Sequence, residues 1–296
     1  MTVKESIEGS SLLDARRKAI LFTMVAGFFW GTSFPAIKVG LQYMDAYTFV
    51  FLRFFVAALT MVVVSFVTKK IDLKFPHKRL ILILGVTNGI AYFLQYVGMI
   101  YVSASASSLF VNLSVVWVAL LTPLVFHERL GWKKAVGVMV SLLGVVFMTT
   151  NLDFAALTEG AVVSDLLVIA AGVMWAVFIV YNKPLANSNT VQTVTWLLIF
   201  TLLPLLPIAP YSVGVLVSLP LDAWLAVVYT AILCWVVPYY LWLKALRHIS
   251  PVTSAVVLLT EIVVAVAIST LFLGEFFTVI SGVGAMFIVV AILLVS

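Results

Sequence analysis

Ten apolar runs, each about as long as a membrane-crossing helix, constrain this 296-residue chain more than any other feature. The hydrocarbon core of a bilayer is about 30 Å thick, so roughly 20 helical residues are needed to cross it. Breaks rich in charge, Pro, Gly or Asn place the runs at 19–41, 46–68, 79–101, 103–126, 131–149, 162–183, 190–209, 222–246, 250–273 and 277–296. The pattern predicts an all-α, polytopic membrane protein with ten transmembrane helices.

The composition argues against the soluble classes of protein. Hydrophobic residues make up 64% of the chain and charged residues 10%, whereas soluble domains have roughly 45–50% apolar and 25% charged residues. A water-soluble enzyme, a disordered chain, a nucleic-acid-binding protein and a disulfide-rich secreted domain are therefore all disfavoured. The single cysteine, Cys234, offers neither a disulfide nor a Cys-based metal site, and we interpret it as a small buried apolar residue.

The basic residues are distributed unevenly around the ten runs, and this predicts their orientation. With a cytoplasmic N-terminus, the cytoplasmic gaps hold all but two of the 17 lysines and arginines, as the positive-inside rule requires. The two exceptions are Lys38 and Arg53. We therefore predict a cytoplasmic segment at 1–18, two cytoplasmic termini and a multi-pass protein of the plasma membrane.

An internal repeat divides the runs into two sets of five. A shift of 145 residues superimposes the first run on the sixth, pairing Gly27, Trp30 and Lys38 with Gly172, Trp175 and Lys183. A shift of 147 pairs later positions: Tyr92 with Tyr239, Ser103 with Ser250, Glu128 with Glu275, and Gly137 with Gly284. We predict two five-helix repeats, at 19–150 and 162–296, joined by an external linker at 151–161.

An odd number of spans in each repeat means that the two repeats enter the membrane in opposite directions. Inverted repeats of this kind are a common design of secondary transporters, in which the substrate binds near the midplane between the halves. The sequence therefore predicts a transporter that works by alternating access. Scattered histidines and the absence of a phosphate-binding loop motif predict no metal site, no cofactor and no direct use of ATP.

Short motifs add a resemblance to a known family: Gly27-x-x-Trp30, Leu52-Arg53-Phe54-Phe55, Phe126-His127-Glu128-Arg129-Leu130 and Leu273-Gly274-Glu275. Over residues 19–296 the chain resembles the drug/metabolite transporter superfamily, EamA type. The resemblance implies the 5+5 fold and export of amino acids or related small metabolites. Members often have Glu-Pro in helix 9 and Thr-Pro in helix 4, where this chain has Glu261-Ile262 and Ser114-Val115.

Glu261 is the strongest single signal for a functional site. It lies eleven residues beyond Ser250, roughly 16 Å along the helix and therefore near the bilayer centre. A carboxylate at that depth costs about 2.5–3.5 kcal/mol, so it should face a cavity or a partner. We interpret Glu261 as a proton-coupling group or a counter-ion for an amine. The alternative is a protonated Glu that donates a hydrogen bond to a neighbouring Ser or Thr.

Aromatic and polar residues form a second set of candidates for substrate binding. Trp30 and Trp175 occupy matching mid-helix positions, either as walls that stack on a ring or cation or as packing residues. Further candidates lie on one face of helix 3, at its repeat-related positions and in helix 4: Asn88, Tyr92, Gln95, Tyr96, Trp235, Tyr239 and Asn112. The alternative for this polar stripe is hydrogen bonding between helices.

Charged residues near the ends of spans are interpreted mainly as structural. Glu128 and Glu275 precede helices 5 and 10, where a carboxylate complements the positive end of the helix dipole. For Lys38 and Arg53 we favour snorkelling to the interface and pairing between helices over the binding of an anionic group.

The predicted function is secondary active export of small metabolites, such as amino acids or aromatic and cationic compounds. The expected partners are a small-molecule substrate, the lipid bilayer and protons as a candidate coupling ion, without nucleic acid. The alternatives are an uptake or exchange carrier for a quaternary amine, a channel, and a membrane assembly subunit. A membrane-embedded enzyme is disfavoured because Glu261 is the one carboxylate well inside a span.

Overall fold

The computed structural model describes residues 3–70, 72–98, 110–127, 129–154, 162–209, 219–273 and 278–296, and within these ranges it contains helices and no strand. The helices are α1 (Val3–Gly40), α2 (Ala46–Val67), α3 (Lys78–Gly98), α4 (Phe110–Phe126), α5 (Trp132–Thr150), α6 (Val162–Asn182), α7 (Thr190–Leu202), α8 (Leu221–Ala245), α9 in two pieces (Pro251–Leu258 and Thr260–Leu273) and α10 (Val279–Val295).

These helices confirm the prediction of an all-α, polytopic protein. Eight are long and apolar enough to cross a bilayer, and α4 and α10 are shorter apolar helices. The first helix is longer than its apolar run, because α1 already includes the polar residues from Val3 onward. The end of α7 tightens into a 3-10 helix over Leu203–Ile208, where Pro204 and Pro207 cannot donate α-helical hydrogen bonds.

Glycines allow α5 and α10 to pack in close contact. A Cβ atom built on Gly144 would lie 2.8 Å from the carbonyl oxygen of Gly284, and the reverse distance is also 2.8 Å. Small residues at such crossings let two backbones approach and gain dispersion contacts, which is the main attraction between helices in lipid. This pair joins the last helix of one repeat to the last helix of the other.

Helices α4 and α9 are each interrupted at one residue, which we call the bend, although neither has a proline there. In α4 the bend is at Leu113 (φ −58°, ψ −13°), and in α9 it is at Leu259 (φ −60°, ψ −10°). In both, an N–H three residues later bonds to the carbonyl of the bend residue, at 2.9 Å from Val116 and 3.0 Å from Ile262. The spacing of the two bends, 146 residues, lies between the two repeat shifts of the sequence.

Each bent helix is contacted at its bend by the first helix of the opposite repeat. A Cβ atom built on Gly27 of α1 would lie 3.2 Å from the carbonyl oxygen of Leu258 in α9. A Cβ atom built on its repeat partner, Gly172 of α6, would lie 2.9 Å from the carbonyl oxygen of Phe110 in α4. The two repeats are therefore interlocked by equivalent contacts, with the bends at the crossing points.

Basic side chains tie two helix connections together at one end of the bundle, which we call the basic end. Lys183, at the end of α6, donates hydrogen bonds to the carbonyl oxygens of Leu246, Arg247 and Ile249 between α8 and α9. Arg247 donates in return to the carbonyl oxygens of Ala186, at 2.5 Å, and Ser188, at 3.2 Å. These reciprocal bonds hold the α6–α7 and α8–α9 connections against each other.

Asp45 caps α2 at the opposite end of the bundle. Its carboxylate accepts hydrogen bonds from the backbone N–H groups of Tyr47 (2.9 Å) and Thr48 (3.0 Å) and from the Thr48 hydroxyl (2.7 Å). Partial burial raises the pKa of Asp45, but these hydrogen bonds to the ionised form outweigh burial and lower the pKa below its usual value. The cap therefore fixes the start of α2 and, with it, the depth of Arg53 further along the same helix.

Candidate functional site

A cluster of aromatic side chains fills the middle of the bundle, drawn from α1, α2, α3, α6 and α8. We call this set the aromatic cluster; its members are Trp30, Phe54, Tyr92, Tyr96, Trp175, Phe178, Trp235, Tyr239 and Trp242. It brings together six of the ten residues that the sequence singled out for substrate binding. Helices of both repeats contribute, so the cluster lies where the two halves meet.

Tyr92 of α3 lies at the junction of the two repeats within the aromatic cluster. Its ring centroid is 4.8 Å from that of Trp175 in an edge-to-face arrangement and 4.7 Å from that of Phe54. Phe54 in turn meets Trp235 at 5.6 Å, and Trp235 stacks on Tyr239 at 4.7 Å. Contacts of this geometry stabilise the arrangement beyond the effect of area burial alone.

Two members of the aromatic cluster are fixed by hydrogen bonds at their polar ends. The Tyr239 hydroxyl donates to Oδ1 of Asn182 at 2.5 Å, and Nε1 of Trp242 donates to Oγ of Ser254 at 2.6 Å. Both side chains are about 1% exposed. They are therefore rigid and leave no polar group free, whereas Tyr92, Trp30 and Trp175 are partly exposed.

The indole N–H of Trp30 is buried and remains an unused hydrogen-bond donor, although the side chain as a whole is partly exposed. Its Nε1 atom has no partner among the residues that the structure describes. The ring packs edge-on against Trp242, with centroids 6.1 Å apart. A buried N–H without an acceptor is unfavourable, so this group is available to a polar ligand atom.

The polar residues of the predicted stripe separate into different environments. Asn88 is buried, and its Nδ2 donates a hydrogen bond to Oγ1 of Thr201 in α7 at 3.1 Å. It therefore makes a hydrogen bond between helices, the role considered above as the alternative to substrate binding. Gln95 is partly buried and lies one position before Tyr96. Asn112 is buried next to the α4 bend at Leu113. Of these three amides, Asn112 alone lies beside an interruption of its helix.

Glu261 lies in the first turn of the second piece of α9, directly after the bend at Leu259. It is partly buried, and it interacts electrostatically with Tyr92 across the bundle. Within the described residues its carboxylate has neither a hydrogen-bond partner nor a cation at ion-pair distance, so the bond to Ser or Thr considered above is not observed there.

The prediction that Arg53 snorkels to the membrane interface is wrong. Its side chain is 3% exposed and turns into the bundle, because α2 presents this face to α3 and α8. The guanidinium lies 5.5 Å from the ring centroid of Tyr92, and Nη2 donates to the carbonyl oxygen of Cys234 at 3.4 Å. Contact between helices, the other part of that prediction, is present.

Three predicted positions lie outside the described residues: Glu128, Glu275 and the side chain of Lys38. Cys234 is buried and forms no disulfide, as its interpretation as a small core residue required.

Phe54, Phe178 and Trp242 belong to the aromatic cluster but were not among the predicted site residues. The spacing of Trp242, seven residues after Trp235 and therefore on the same helix face, is the sequence signal that could have identified it.

In the described part of the chain, ten apolar helices form two interlocked repeats, with Glu261 at one bend and the aromatic cluster between the repeats, an arrangement typical of membrane transporters. The model of the EamA-like transporter family matches residues 17–150 and, separately, residues 162–296. The chain belongs to this family.

Relatives of similar length carry transporter names. An uncharacterized transporter of Archaeoglobus fulgidus is 28% identical over 245 residues, which cover 81% of this chain and 83% of the relative. A probable terminal-alkyne amino-acid exporter of Streptantibioticus cattleyicolor is 27% identical, and the match covers 87% of this chain and 85% of the relative. A probable amino-acid metabolite efflux pump of Escherichia coli is 27% identical, covering 93% of each chain.

A solved crystal structure shares the fold. The superposition has a TM-score of 0.76 and covers 93% of this chain and 95% of the chain in that structure. The two sequences are 17% identical. The agreement over nearly the whole length shows that the ten-helix arrangement is that of an experimentally observed fold.

Proposed function

We propose that this protein is a secondary active exporter of small metabolites, such as amino acids and compounds with an aromatic ring. It works by alternating access, and the transport site is bordered by the aromatic cluster and Glu261. The observation that carries the proposal is the position of Glu261. An ionisable side chain without a partner in the described residues lies at a helix bend, beside an aromatic cluster to which both repeats contribute.

The architecture supports alternating access through the matched bends. Because α1 packs on the bend of α9 and α6 packs on the bend of α4, a tilt of one repeat against the other moves both bends together. Rocking of one repeat against the other then exposes the same midplane site first to one side of the membrane and then to the other.

Two relatives support the substrate class. The Streptantibioticus protein is named as an amino-acid exporter and the Escherichia protein as an amino-acid metabolite efflux pump. The aromatic cluster suits a ring-bearing substrate, because ring stacking and edge contacts recognise flat apolar groups. Among amino acids, phenylalanine and tryptophan are therefore the first substrates to test.

Uptake of radiolabelled phenylalanine and tryptophan into liposomes that contain the purified protein tests this proposal. We expect saturable uptake that exceeds the uptake into protein-free liposomes and is inhibited by the unlabelled compound. Uptake that rises linearly with concentration, at the rate of protein-free liposomes, for every amino acid and ring-bearing metabolite tried would contradict the proposed substrate class.

The proposed orientation places the basic end and both termini in the cytoplasm. Single cysteines introduced by Lys74→Cys and Leu152→Cys in a Cys234→Ser background lie at exposed positions near opposite ends of the bundle. We expect a membrane-impermeant maleimide to label the Leu152 variant in intact cells and the Lys74 variant only after permeabilisation. Labelling of the Lys74 variant in intact cells would reverse the topology.

A further inference from the structure

Arg53 is a permanently charged side chain buried inside the bundle. It lies seven residues, roughly 10 Å, from the start of α2 at Ala46, well below the helix end. Its neighbours Leu52 and Phe54 are buried as well. A guanidinium does not deprotonate in proteins, so its charge at this depth must be balanced by dipoles, by water or by an anion.

Two aromatic faces balance part of this charge. The guanidinium carbon of Arg53 lies 5.7 Å from the ring centroid of Phe54 and 5.5 Å from that of Tyr92. The negative faces of aromatic rings attract a cation at such distances. These contacts do not use the N–H groups, which lie in the plane of the guanidinium and still require acceptors.

The backbone of α8 supplies one acceptor through an irregular turn. Residues Ile232–Val236 form a π-helical turn. Pro238, two residues after this turn, has no backbone N–H group. In a regular α-helix the carbonyl of Cys234 would accept a hydrogen bond from residue 238. Pro238 leaves this carbonyl without that donor, and Nη2 of Arg53 bonds to it at 3.4 Å.

The donors of Arg53 are not all used. A guanidinium has five N–H donors, and the bond to Cys234 is long for a charged donor. Nε of Arg53 is buried without any partner, and no Asp or Glu oxygen lies at ion-pair distance in the described part of the chain. The planar arrangement of these donors matches two oxygens of one carboxylate.

Other polar groups surround the same turn of α8. From α3, the hydroxyl of Tyr92 interacts electrostatically with Arg53, and the hydroxyl of Tyr96 accepts a hydrogen bond from it. On the α1 side, the Thr32 hydroxyl accepts a hydrogen bond from Tyr229 at 2.8 Å and lies 3.6 Å from the sulfur of Cys234. The guanidinium, with its Nε donor still unused, is therefore set among hydroxyl groups and rings at the edge of the aromatic cluster.

We propose that Arg53 binds the carboxylate of the transported metabolite, whose ring or apolar part lies against the aromatic cluster. The substrates are therefore acids or zwitterions, and a quaternary amine without an anionic group is disfavoured. This inference rests on the proposed transport function and adds a division of roles. Arg53 binds the substrate, while Glu261, which does not pair with Arg53, remains able to exchange a proton.

Three ligands that differ by single groups test the assignment: L-phenylalanine, phenyllactate, which lacks the amine, and phenethylamine, which lacks the carboxylate. Binding to the purified protein is measured by tryptophan fluorescence, since four tryptophans lie in the aromatic cluster. We expect both carboxylates to bind about tenfold tighter than phenethylamine, or more, as loss of a charged hydrogen-bonded pair implies.

Two substitutions and a control separate charge from geometry. Arg53→Gln should abolish the preference for carboxylates, and Arg53→Lys should keep a reduced preference because it retains the charge but not the planar donors. The control is Lys244→Gln, which also removes a cation from a ring face, 4.4 Å from the centroid of Tyr240, and should leave the preference unchanged.

The outcomes distinguish this inference from the proposed function. If the parent binds phenethylamine as tightly as phenylalanine, or if Arg53→Gln keeps the preference for carboxylates, the role of Arg53 is contradicted while transport stands. If the parent binds none of the three ligands and transports no amino acid, both proposals are contradicted. If Arg53→Gln does not fold, the role of Arg53 is still tested by the preference of the parent for carboxylates and by its reduction in Arg53→Lys.

Discussion

Replacement of Glu261 by Gln should abolish accumulation driven by a pH gradient while leaving the protein folded and able to exchange substrate down its gradient. Gln keeps the size of the side chain and most hydrogen bonds of the protonated acid, but it cannot ionise. In a buried site the neutral form of a carboxyl group is favoured, and ionisation requires water or a cation nearby. Opening of the site to one side would permit ionisation, and closure would require a bound proton or a cationic group.

The measurement is uptake into liposomes with and without an imposed pH gradient, for the parent and for Glu261→Gln. The parent should accumulate substrate above equilibrium only with the gradient, and the variant should reach the same level in both conditions. Asp222→Asn is the matched control, because it removes an exposed carboxylate from the first turn of α8 and should behave as the parent. A Glu261→Gln variant that responds to the gradient like the parent would exclude Glu261 as the coupling residue.

Gly31→Ala should strongly impair transport by pushing α1 away from the bend of α9. A Cβ atom at this position would lie 2.5 Å from the carbonyl oxygen of Glu261 and 2.8 Å from Cβ of Val264. Neither contact is to the flexible end of a side chain, so one helix must shift. Overpacking of this kind costs about 1–3 kcal/mol in a well-packed interior. We therefore expect a lower unfolding temperature in detergent and a large loss of saturable uptake.

Gly131→Ala is the control for this substitution. No atom lies within 4 Å of a Cβ built on Gly131, and its backbone is in the extended region that any residue adopts (φ −63°). It should keep the unfolding temperature and the uptake of the parent. If Gly31→Ala also matches the parent in both measurements, the close contact between α1 and the α9 bend is not required for the transport cycle.

The helices and the central aromatic residues were predictable because their signals are local. Twenty apolar residues in a row have few structures available in lipid other than a helix, since every backbone polar group must be satisfied internally. Trp235 and Tyr239 were found through the repeat, because equivalent positions in an inverted pair lie at similar depth. These inferences need only the length of a run and the spacing of residues within it.

The bends and the burial of Arg53 were not predictable, because they depend on contacts between helices. The bends at Leu113 and Leu259 occur without proline, at points where Gly172 and Gly27 bring another helix against the backbone. Arg53 lies near enough to the end of its run to have reached the interface. Its inward direction is set by the packing of α2 and by the carbonyl that Pro238 leaves free on α8.

Counterflow in liposomes tests alternating access around a single central site most directly. Liposomes are preloaded with unlabelled phenylalanine, diluted into a trace of the labelled compound, and sampled over time. A carrier with one site exposed to one side at a time should show a transient accumulation of label above equilibrium, because internal substrate speeds the return of the site. A channel offers a continuous path and gives no such overshoot. Measurable uptake without any overshoot would contradict the account.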